Sequence, residues 1–169
     1  GIDMEDINQA LQSFPGVPGR LQKHILRNGS TAYVDFAHNP SSMEAVLQTL
    51  RPLPHHLLVL FGCGGDKDKT KRSVMGVLAA KYGDEVIVTD DNPRNEDSQK
   101  IIDEICAGIE SGKMKKVFRE QDRAKAISIA VDKSKKDSII ALLGKGHEDH
   151  YIVQGKKMFF DDFKKISNY

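Results

Sequence analysis

Short apolar runs alternate with stretches of helical spacing along the chain, and the alternation recurs at least four times. The predicted strands occupy residues 31–37, 57–61, 85–89, 116–119 and 138–143, and 57–61 is apolar throughout. Strands that alternate with helices form a mostly parallel sheet with helices packed on both of its faces. The pattern therefore predicts a Rossmann-like, doubly wound α/β fold.

Helical spacing and capping residues predict where the helices lie. The predicted helices span 3–12, 40–50 and 72–82, and three more begin near Ser98, Asp122 and Asp161. In the third helix, the residues predicted to face the core are Val74, Val77, Leu78 and Tyr82. Ser98 is predicted to cap its own helix. Residues 151–160 predict a hairpin around Gln154-Gly155-Lys156 that gives the sheet an antiparallel edge.

The charge balance and the apolar content exclude several classes of protein. The chain has 25 basic side chains against 24 acidic ones, a net charge of +1. This balance gives no electrostatic drive toward nucleic acid or an anionic membrane, and no apolar run approaches the roughly 18 residues that a membrane span needs. Cys63 and Cys106 form no CxxC pair, which favours reduced thiols in a cytosolic protein. The start at Gly1 is expected to be a cut inside a longer protein.

Unusual polar residues follow four of the predicted strands. They lie in the segments 38–40, 62–72, 90–94 and 144–149. In open α/β sheets, ligands bind outside the carboxyl ends of the strands. We therefore expect these four loops to form one shared site at one edge of the sheet.

The side chains of two of these loops suit a small zwitterion. Arg94 has a planar fork that matches a carboxylate, while Asp91 and Glu148 offer carboxylates for ammonium groups. A diamino dicarboxylic acid would use all three side chains. The alternative for residues 91–94 is a solvated turn, because Asp, Asn and Pro are ordinary turn residues.

The glycine-rich segment that begins at Gly62 matches neither standard phosphate loop. It lacks the Walker A string, and Lys67 stands where the dinucleotide fingerprint has its third glycine. Two interpretations stay open: a flexible basic loop, or a loop in which backbone N–H groups and basic side chains bind an anion. Those basic side chains are Lys67, Lys69, Lys71 and Arg72.

Two other features each have an ordinary and a functional interpretation. Asp35 lies within a predicted strand, where a buried acid needs a partner or a ligand unless it faces the edge of the sheet. His147 and His150 form an HxxH pair. No third or fourth ligand accompanies the pair in the sequence, so no metal site is expected.

Five motifs occur in order along the chain. They are Pro18-Gly-Arg20, Val34-Asp-Phe-Ala-His38 with Pro40, the segment from Phe61 to Arg72, Thr89-Asp-Asp-Asn-Pro-Arg94, and Gly144-Lys-Gly-His-Glu-Asp149. Together they resemble the Mur ligases, and the MurE branch in particular, from about residue 15 to the end. The resemblance implies a C-terminal, amino-acid-binding domain over residues 20–169. Residues 1–19 are then a linker or the tail of the central ATPase domain.

The resemblance implies an ATP-dependent, amide-forming ligase of peptidoglycan synthesis. In such an enzyme, the glutamate carboxylate of UDP-N-acetylmuramoyl-L-alanyl-D-glutamate is activated as an acyl phosphate, and the amine of the incoming amino acid attacks it. ATP and Mg²⁺ would be bound mainly by a central domain outside this chain, so the chain alone is expected to have no ligase activity. A monomer in the bacterial cytoplasm is expected, with neither nucleic acid nor membrane as a partner.

The resemblance also assigns roles to residues by their position in the motifs. The amino-acid-binding residues are Lys67, Asp91, Asn92, Pro93, Arg94, Gly144 and Glu148. The residues that face the nucleotide are Arg20, Asp35 and His38. The Asp-Asn-Pro-Arg version of the motif implies meso-diaminopimelate as the incoming amino acid.

One departure from the family pattern leaves the substrate open. The family commonly has arginine at the position of Lys67, and lysine keeps the charge but loses the bidentate fork. A related diamino acid such as meso-lanthionine therefore remains an alternative substrate. A Mur-type ligase that adds L-lysine or a whole peptide is a further alternative, which Arg94 discriminates. The alternatives from other classes are a non-catalytic Mur-like binding module and a dinucleotide-binding Rossmann domain.

Overall fold

The computed structural model describes residues 1–52 and 55–169, and its centre is a six-stranded sheet. The strands are β1 Gln22–Ile25, β2 Thr31–Asp35, β3 Leu57–Phe61, β4 Glu85–Val88, β5 Val117–Arg119 and β6 Ile139–Leu143. Their order in space is β1-β2-β6-β3-β4-β5. Neighbouring strands are parallel except for β1 and β2, which are antiparallel. The predicted Rossmann-like, doubly wound α/β fold is confirmed.

Helices cover both faces of this sheet. The covering helices are α2 Pro40–Leu50, α3 Thr70–Tyr82, α4 Ser98–Cys106, α5 Arg123–Lys133 and α6 Asp162–Ile166. A 3₁₀ helix lies at Ser111–Lys116, and helix α1, Met4–Ser13, has no buried residue and covers neither face. Helices α2, α3 and α4 pack on one face, and α5 and α6 pack on the other. Parallel strands require crossover connections, which place the helices there. Within the two described stretches, no helix is both long and apolar enough to cross a membrane.

The two central strands, β3 and β6, are buried over their whole length. On β3, Val59 and Phe61 pack on the side of α2, α3 and α4, while Leu58 and Leu60 pack on the side of α5 and α6. Successive side chains of a strand point to opposite faces, so a strand covered on both faces must be continuously apolar. This buried centre fixes the carboxyl ends of the strands, where the polar loops begin.

The predicted hairpin forms, but it lies outside the main sheet. Strands β7 His150–Val153 and β8 Lys156–Phe159 make a separate two-stranded sheet. The expectation that this hairpin gives the main sheet its antiparallel edge was wrong, because β1 provides that edge. The residues of β1 alternate only between partly buried and exposed, so no apolar periodicity marks them as a strand.

The predicted core face of α3 is confirmed at Leu78, which is buried, and at Tyr82, which packs against the core, and it was wrong at the two valines. Val74 and Val77 are 45% and 47% exposed. Helix α3 contacts α4 at Gly76, where an added Cβ would lie 2.2 Å from the carbonyl oxygen of Ile105. This close approach, which only glycine permits, turns Met75 toward the core and both valines outward.

The sequence predicted Ser98 as the N-cap of α4, but the N-cap in the structure is Asp97. The Asp97 carboxylate accepts hydrogen bonds from the backbone N–H groups of Gln99 and Lys100. The Ser98 hydroxyl instead donates to the Asp90 carboxylate at 2.8 Å. Ser98 therefore ties the start of α4 to the loop that follows β4.

Candidate functional site

The four polar loops meet at the carboxyl edge of the sheet, as expected, and enclose a cavity of about 400 Å³, here called the loop cavity. Its lining residues are Phe36, His38, Gly64, Lys67, Asp68, Lys71, Asp91, Asn92, Arg94, Gly144 and Glu148. Seven of the residues assigned by resemblance are among them. Pro93 lines a neighbouring groove, and Arg20 and Asp35 are not part of either lining.

Close backbone contacts between the loops shape the loop cavity. An added Cβ at Gly65 would lie 1.9 Å from the carbonyl oxygen of Pro93, so these two loops approach only because residue 65 is glycine. Gly144 has φ +110°, and an added Cβ there would lie 2.9 Å from Oδ2 of Asp91. L side chains rarely adopt that backbone conformation. Gly144 therefore brings the end of β6 against the loop that carries Asp91.

Backbone hydrogen bonds hold Arg94 in place, while two nitrogens of its guanidinium group have no hydrogen-bond partner among the described residues. Its N–H donates to the carbonyl oxygen of Ile152 at 2.9 Å, and its own carbonyl accepts from the N–H of Gln154 at 2.7 Å. These bonds hold Arg94 at φ +52°, which is uncommon for a residue other than glycine. Nη1 donates to the carbonyl oxygen of Gly65 at 2.8 Å. No side chain or carbonyl in 1–52 or 55–169 accepts from Nε or Nη2, so the guanidinium keeps donors for an acid group.

Asn92 connects three loops around the cavity. Its backbone carbonyl accepts from the N–H of Gly65 at 2.8 Å, and its side-chain Oδ1 accepts from the N–H of Ile152 at 2.9 Å. Its Nδ2 donates to Oε2 of Glu148 at 3.0 Å and to Oδ1 of Asp91 at 3.2 Å. One amide group therefore holds two carboxylates at the same wall of the loop cavity.

Lys145, to which the sequence analysis gave no role, lies fully buried behind these carboxylates. Its Nζ donates to the carbonyl oxygen of His150 at 2.6 Å and lies 3.8 Å from Oδ1 of Asp91 and 3.6 Å from Oε2 of Glu148. Burial lowers the pKa of the Lys145 ammonium group and raises the pKa of the Asp91 carboxyl group, and the nearby opposite charges act against both shifts. One ammonium balances one of two carboxylates. Lys145 belongs to the motif of residues 144–149, two positions after the end of a buried strand, but nothing in the sequence marks it as buried.

A buried ion pair between Arg123 and Asp162 stands behind the loops. Nε and Nη2 of Arg123 donate to the two carboxylate oxygens at 2.8 and 2.6 Å. Nη1 also donates to the carbonyl oxygen of Asp90 at 3.0 Å, and Nη2 to that of Leu143 at 3.1 Å. The pair therefore holds the carboxyl ends of β4 and β6 to the start of α6. Neither residue could be singled out from the sequence, because charged residues at helix starts are usually exposed.

The basic side chains of segment 62–72 divide between the fold and the cavity. Arg72 is fully buried and donates to Glu96 and Glu104 at distances of 2.6 to 3.0 Å, and Lys69 pairs with Glu96 at 2.9 Å. Hydrogen bonds from Arg72 and Lys69 lower the pKa of the Glu96 carboxyl group to about 2. The interpretation in which all four basic side chains serve an anion was therefore wrong. The other two line the loop cavity.

Asp35 and Arg20, two of the residues expected to face the nucleotide, have partners within the domain. Asp35 is buried, and its two carboxylate oxygens accept the backbone N–H groups of Leu21 and Ala37, each at 2.8 Å. Asp35 thereby holds the segment before β1 against the end of β2. The guanidinium of Arg20 lies over the ring of Phe36, 5.1 Å from its centroid.

His38, the third of those residues, is exposed at the rim of the loop cavity. Its backbone carbonyl accepts from Nζ of Lys71 at 2.7 Å, and both residues line the loop cavity. The histidines of the HxxH pair have separate partners: His147 lies on the ring of Phe36, and His150 contacts the neighbouring carboxylate at 2.9 Å. Across the described stretches, no group of three or more His, Cys, Asp or Glu side chains is arranged to hold a metal ion.

Comparison with known proteins relates the chain to one family of ligases. Residues 19–146 match the family model described as Mur ligase, glutamate ligase domain. A relative from Thermosynechococcus vestitus, named UDP-N-acetylmuramoyl-L-alanyl-D-glutamate--2,6-diaminopimelate ligase, is 43% identical over 171 residues, which cover 99% of this chain and 34% of the relative. A solved structure of a ligase with the same name has a TM-score of 0.83 and 34% identity, and the match covers 99% of this chain and 34% of that chain. The chain spans about a third of the length of these relatives.

The same fold occurs in a folate enzyme. The bifunctional folylpolyglutamate synthase/dihydrofolate synthase of Yersinia pestis, solved as a complex with AMPPNP and a Mn ion, has a TM-score of 0.63. The match is 18% identical and covers 85% of this chain and 32% of that chain. At this identity the likeness concerns the fold alone.

Proposed function

Because the chain belongs to the Mur ligase family, we propose that it is the amino-acid-binding domain of an ATP-dependent ligase that adds meso-diaminopimelate to UDP-N-acetylmuramoyl-L-alanyl-D-glutamate. Relatives named for that reaction match nearly the whole chain. The observation that carries the proposal is the charge pattern of the loop cavity, where free donors of Arg94 and the carboxylates of Asp91 and Glu148 face one space of about 400 Å³. This pattern complements an amino acid whose far end bears both a carboxylate and an ammonium group.

Each side chain of the loop cavity has a separate task in this proposal. Arg94 donates to the distal carboxylate of diaminopimelate, and Lys67 adds a second positive charge. Asp91 and Glu148 accept the distal ammonium group, since Lys145 balances only part of their charge. With its distal end bound in this way, the amino acid keeps its other amine for the reaction. That amine forms the new amide bond to the activated glutamate carboxyl carbon, and phosphate leaves.

ATP supplies the phosphoryl group that activates the glutamate carboxylate, with Mg²⁺ neutralising the phosphate charge. The domain fits a supporting role toward the nucleotide, because His38 and Lys71 line the loop cavity and Arg20 lies over the ring of Phe36, another lining residue. Asp35 holds the segment that carries Arg20, and its oxygens are occupied by backbone N–H groups. We place the main contacts to ATP and the metal ligands in a central domain outside this chain. Ligase turnover by the purified chain would contradict that assignment.

Residues 1–19 are proposed to be a linker or the tail of that central domain. No residue of α1 is buried, and the apolar side chains of Met4 and Leu11 are 67% and 66% exposed. A helix with an uncovered apolar face needs a surface to pack against. The whole enzyme is proposed to be a bacterial cytoplasmic monomer.

L-Lysine and meso-lanthionine remain the alternative substrates. Lysine lacks the carboxylate that Arg94 is proposed to bind, so it would leave those donors without a partner. Lanthionine has both distal groups, and Lys67 in place of the family's arginine is the residue that keeps it in consideration. A non-catalytic binding module would bind the amino acid without supporting turnover in the full-length protein.

An NMR titration of the chain with meso-diaminopimelate, L-lysine and meso-lanthionine, each to millimolar concentration, tests the proposal. Diaminopimelate, and not lysine, is expected to shift the amide signals of Asp91, Arg94, Gly144 and Glu148. The variant Arg119→Ala, which removes an arginine of a surface ion pair, is the matched control and keeps the response. An equal response to lysine would favour the lysine-adding alternative. If no ligand shifts these signals, either in the chain or in the full-length protein, the proposal is rejected.

A further inference from the structure

The β7–β8 hairpin is attached to the domain mainly through residues of the loop cavity. Two backbone hydrogen bonds join β7 to Arg94. The N–H of Arg94 donates to the carbonyl oxygen of Ile152 at 2.9 Å, and the N–H of Gln154, just after β7, donates to the carbonyl oxygen of Arg94 at 2.7 Å. The N–H of Ile152 also donates to Oδ1 of Asn92 at 2.9 Å. The carbonyl oxygen of His150 accepts from the buried Nζ of Lys145 at 2.6 Å. A single strand thus contacts three residues that form or support the amino-acid site.

The hairpin has little apolar burial of its own to hold it in place. The residues of β7 are all partly buried, and those of β8 are all exposed. Met158 and Phe159 of β8 are 47% and 68% exposed. Isolated two-stranded hairpins are marginally stable in water. The contacts with the loop cavity are therefore a large share of what keeps the hairpin docked.

The same contacts decide how the binding groups point. Because the N–H of Ile152 is a donor, Oδ1 of Asn92 must face it, and Nδ2 then faces Glu148 and Asp91. With the hairpin detached, the Asn92 amide could rotate and the two carboxylates would lose their shared donor. Arg94 would also lose both bonds that hold its backbone at positive φ.

We infer that the hairpin is a positioning element for the amino acid, and that its docking and amino-acid binding are coupled. This inference rests on the proposed function. Any group that binds only the docked arrangement stabilises that arrangement, and the effect is reciprocal. Amino-acid binding therefore tightens the hairpin, and a loosened hairpin weakens amino-acid binding while leaving the nucleotide and the UDP-linked substrate unaffected.

A pair of proline variants in the full-length enzyme tests the inference. Ile152 and Lys157 are opposite each other in the hairpin, and the N–H and the carbonyl of Ile152 bond to Asn92 and Arg94, not to β8. The variant Ile152→Pro therefore removes the donor to Asn92 and no bond of the β7–β8 ladder. The variant Lys157→Pro is the matched control, because it removes an N–H on the outer side of the other strand, where proline is tolerated.

Ile152→Pro is expected to raise the KM for diaminopimelate roughly tenfold, with kcat, the KM for ATP and the KM for the UDP-linked substrate changed less than about twofold. Lys157→Pro is expected to leave all of these values within about twofold of the unaltered enzyme. Equal effects of the two prolines, or an unchanged amino-acid KM in Ile152→Pro, would overturn the inference. An unaltered enzyme that does not use diaminopimelate would instead reject the proposed function.

Hydrogen exchange in the unaltered enzyme gives a test that needs no variant. The amides of Arg94 and Gln154 report on docking, since each is bonded across the contact between hairpin and domain. Saturating diaminopimelate is expected to slow their exchange at least several-fold, and ATP alone is expected not to. If diaminopimelate binds and the exchange of both amides is unchanged, docking and binding are independent and the inference is wrong.

Discussion

The carboxyl edge of the sheet contains two kinds of arginine, which differ in where their N–H groups go. Arg123 and Arg72 are buried and donate to carboxylates and carbonyl oxygens of the protein. Arg94 uses one nitrogen for the protein and keeps donors toward the loop cavity. The buried arginines hold the loops in place, and Arg94 is the one proposed to bind a ligand. The hydrogen-bond partners of each arginine at this edge therefore indicate whether it stabilises the fold or is available to a ligand.

The largest effect is expected for Arg123→Met, a loss of about 3–5 kcal/mol in the free energy of unfolding. The substitution leaves the fully buried carboxylate of Asp162 without its partner. It also leaves the carbonyl oxygens of Asp90 and Leu143 without their donor. Urea denaturation of the chain measures the change.

The double variant Arg123→Met/Asp162→Leu is the control for that prediction. It removes both charges together, and it is expected to recover most of the lost stability, since the cost comes from the unpaired charge. A loss below about 1 kcal/mol in the single variant would show that Arg123 does not hold the edge together.

Arg94→Ala is expected to show the opposite pattern. The free energy of unfolding changes by less than about 1 kcal/mol, because only one side-chain nitrogen serves the fold. The KM for diaminopimelate in the full-length enzyme rises roughly 100-fold, the value of a lost charged hydrogen bond. The KM for ATP is the internal control. If Arg94→Ala destabilises the chain as much as Arg123→Met, Arg94 belongs with the buried arginines and the comparison fails.

The pH dependence of stability tests the structural role of Arg72, because the Glu96 carboxylate is its partner. The pKa of Glu96 is lowered from 4.5 to about 2 in the folded chain. The stability that this ion pair contributes is therefore complete above pH 4.5 and is lost as the pH falls toward 2. Glu96→Gln is expected to lower the stability at pH 7 by about 1–2 kcal/mol and to flatten that acid slope. Denaturation at a series of pH values measures both, and an unchanged slope would contradict the assignment.

Asp90, on the same edge, is expected to give a slope of opposite sign. Burial raises the pKa of its carboxyl group from 3.8 to about 6. The folded chain then holds a proton that the unfolded chain has lost, so stability falls as the pH rises from 3.8 to 6. Asp90→Asn, which can still accept from the Ser98 hydroxyl, is expected to remove this slope and to stabilise the chain by about 1 kcal/mol at pH 7. Loss of stability at pH 7 would show that the charged form is the favoured one.

The central fold could be predicted because its strands are buried on both faces. Segments 57–61 and 139–143 are unbroken apolar runs, and the helical spacing of 40–50 predicted the bounds of α2 that the structure has. β1 could not be predicted, since an edge strand with one partner has no apolar alternation. The prediction that Val74 and Val77 face the core was wrong, because the orientation of α3 is set by the contact of Gly76 with α4, a helix distant in sequence.

The position of the site was predictable from topology, whereas the division of its charges was not. Four loops at one sheet edge follow from strand direction. Lys67 and Arg72 belong to the same basic segment, yet one lines the cavity and the other is buried among acids. Lys145 and Arg123 likewise have no local feature that marks them as buried. Only tertiary contacts separate such residues, because sequence spacing does not show which carboxylate comes within reach.

The smallest change in KM is expected for Lys67→Arg. This variant tests how closely the loop cavity complements a dicarboxylic substrate. Arginine restores a bidentate fork at a position that lines the loop cavity. The KM for diaminopimelate is expected to fall about threefold, with the KM for L-lysine unchanged. Lys69→Arg is the matched control, because Lys69 pairs with Glu96 and does not line the cavity. If neither the KM for diaminopimelate nor the KM for L-lysine changes, residue 67 acts only as a charge, because the substitution conserves it. If the KM for diaminopimelate rises instead, the lysine is part of the fit, and a substrate with longer spacing between its ends, such as meso-lanthionine, becomes the better candidate.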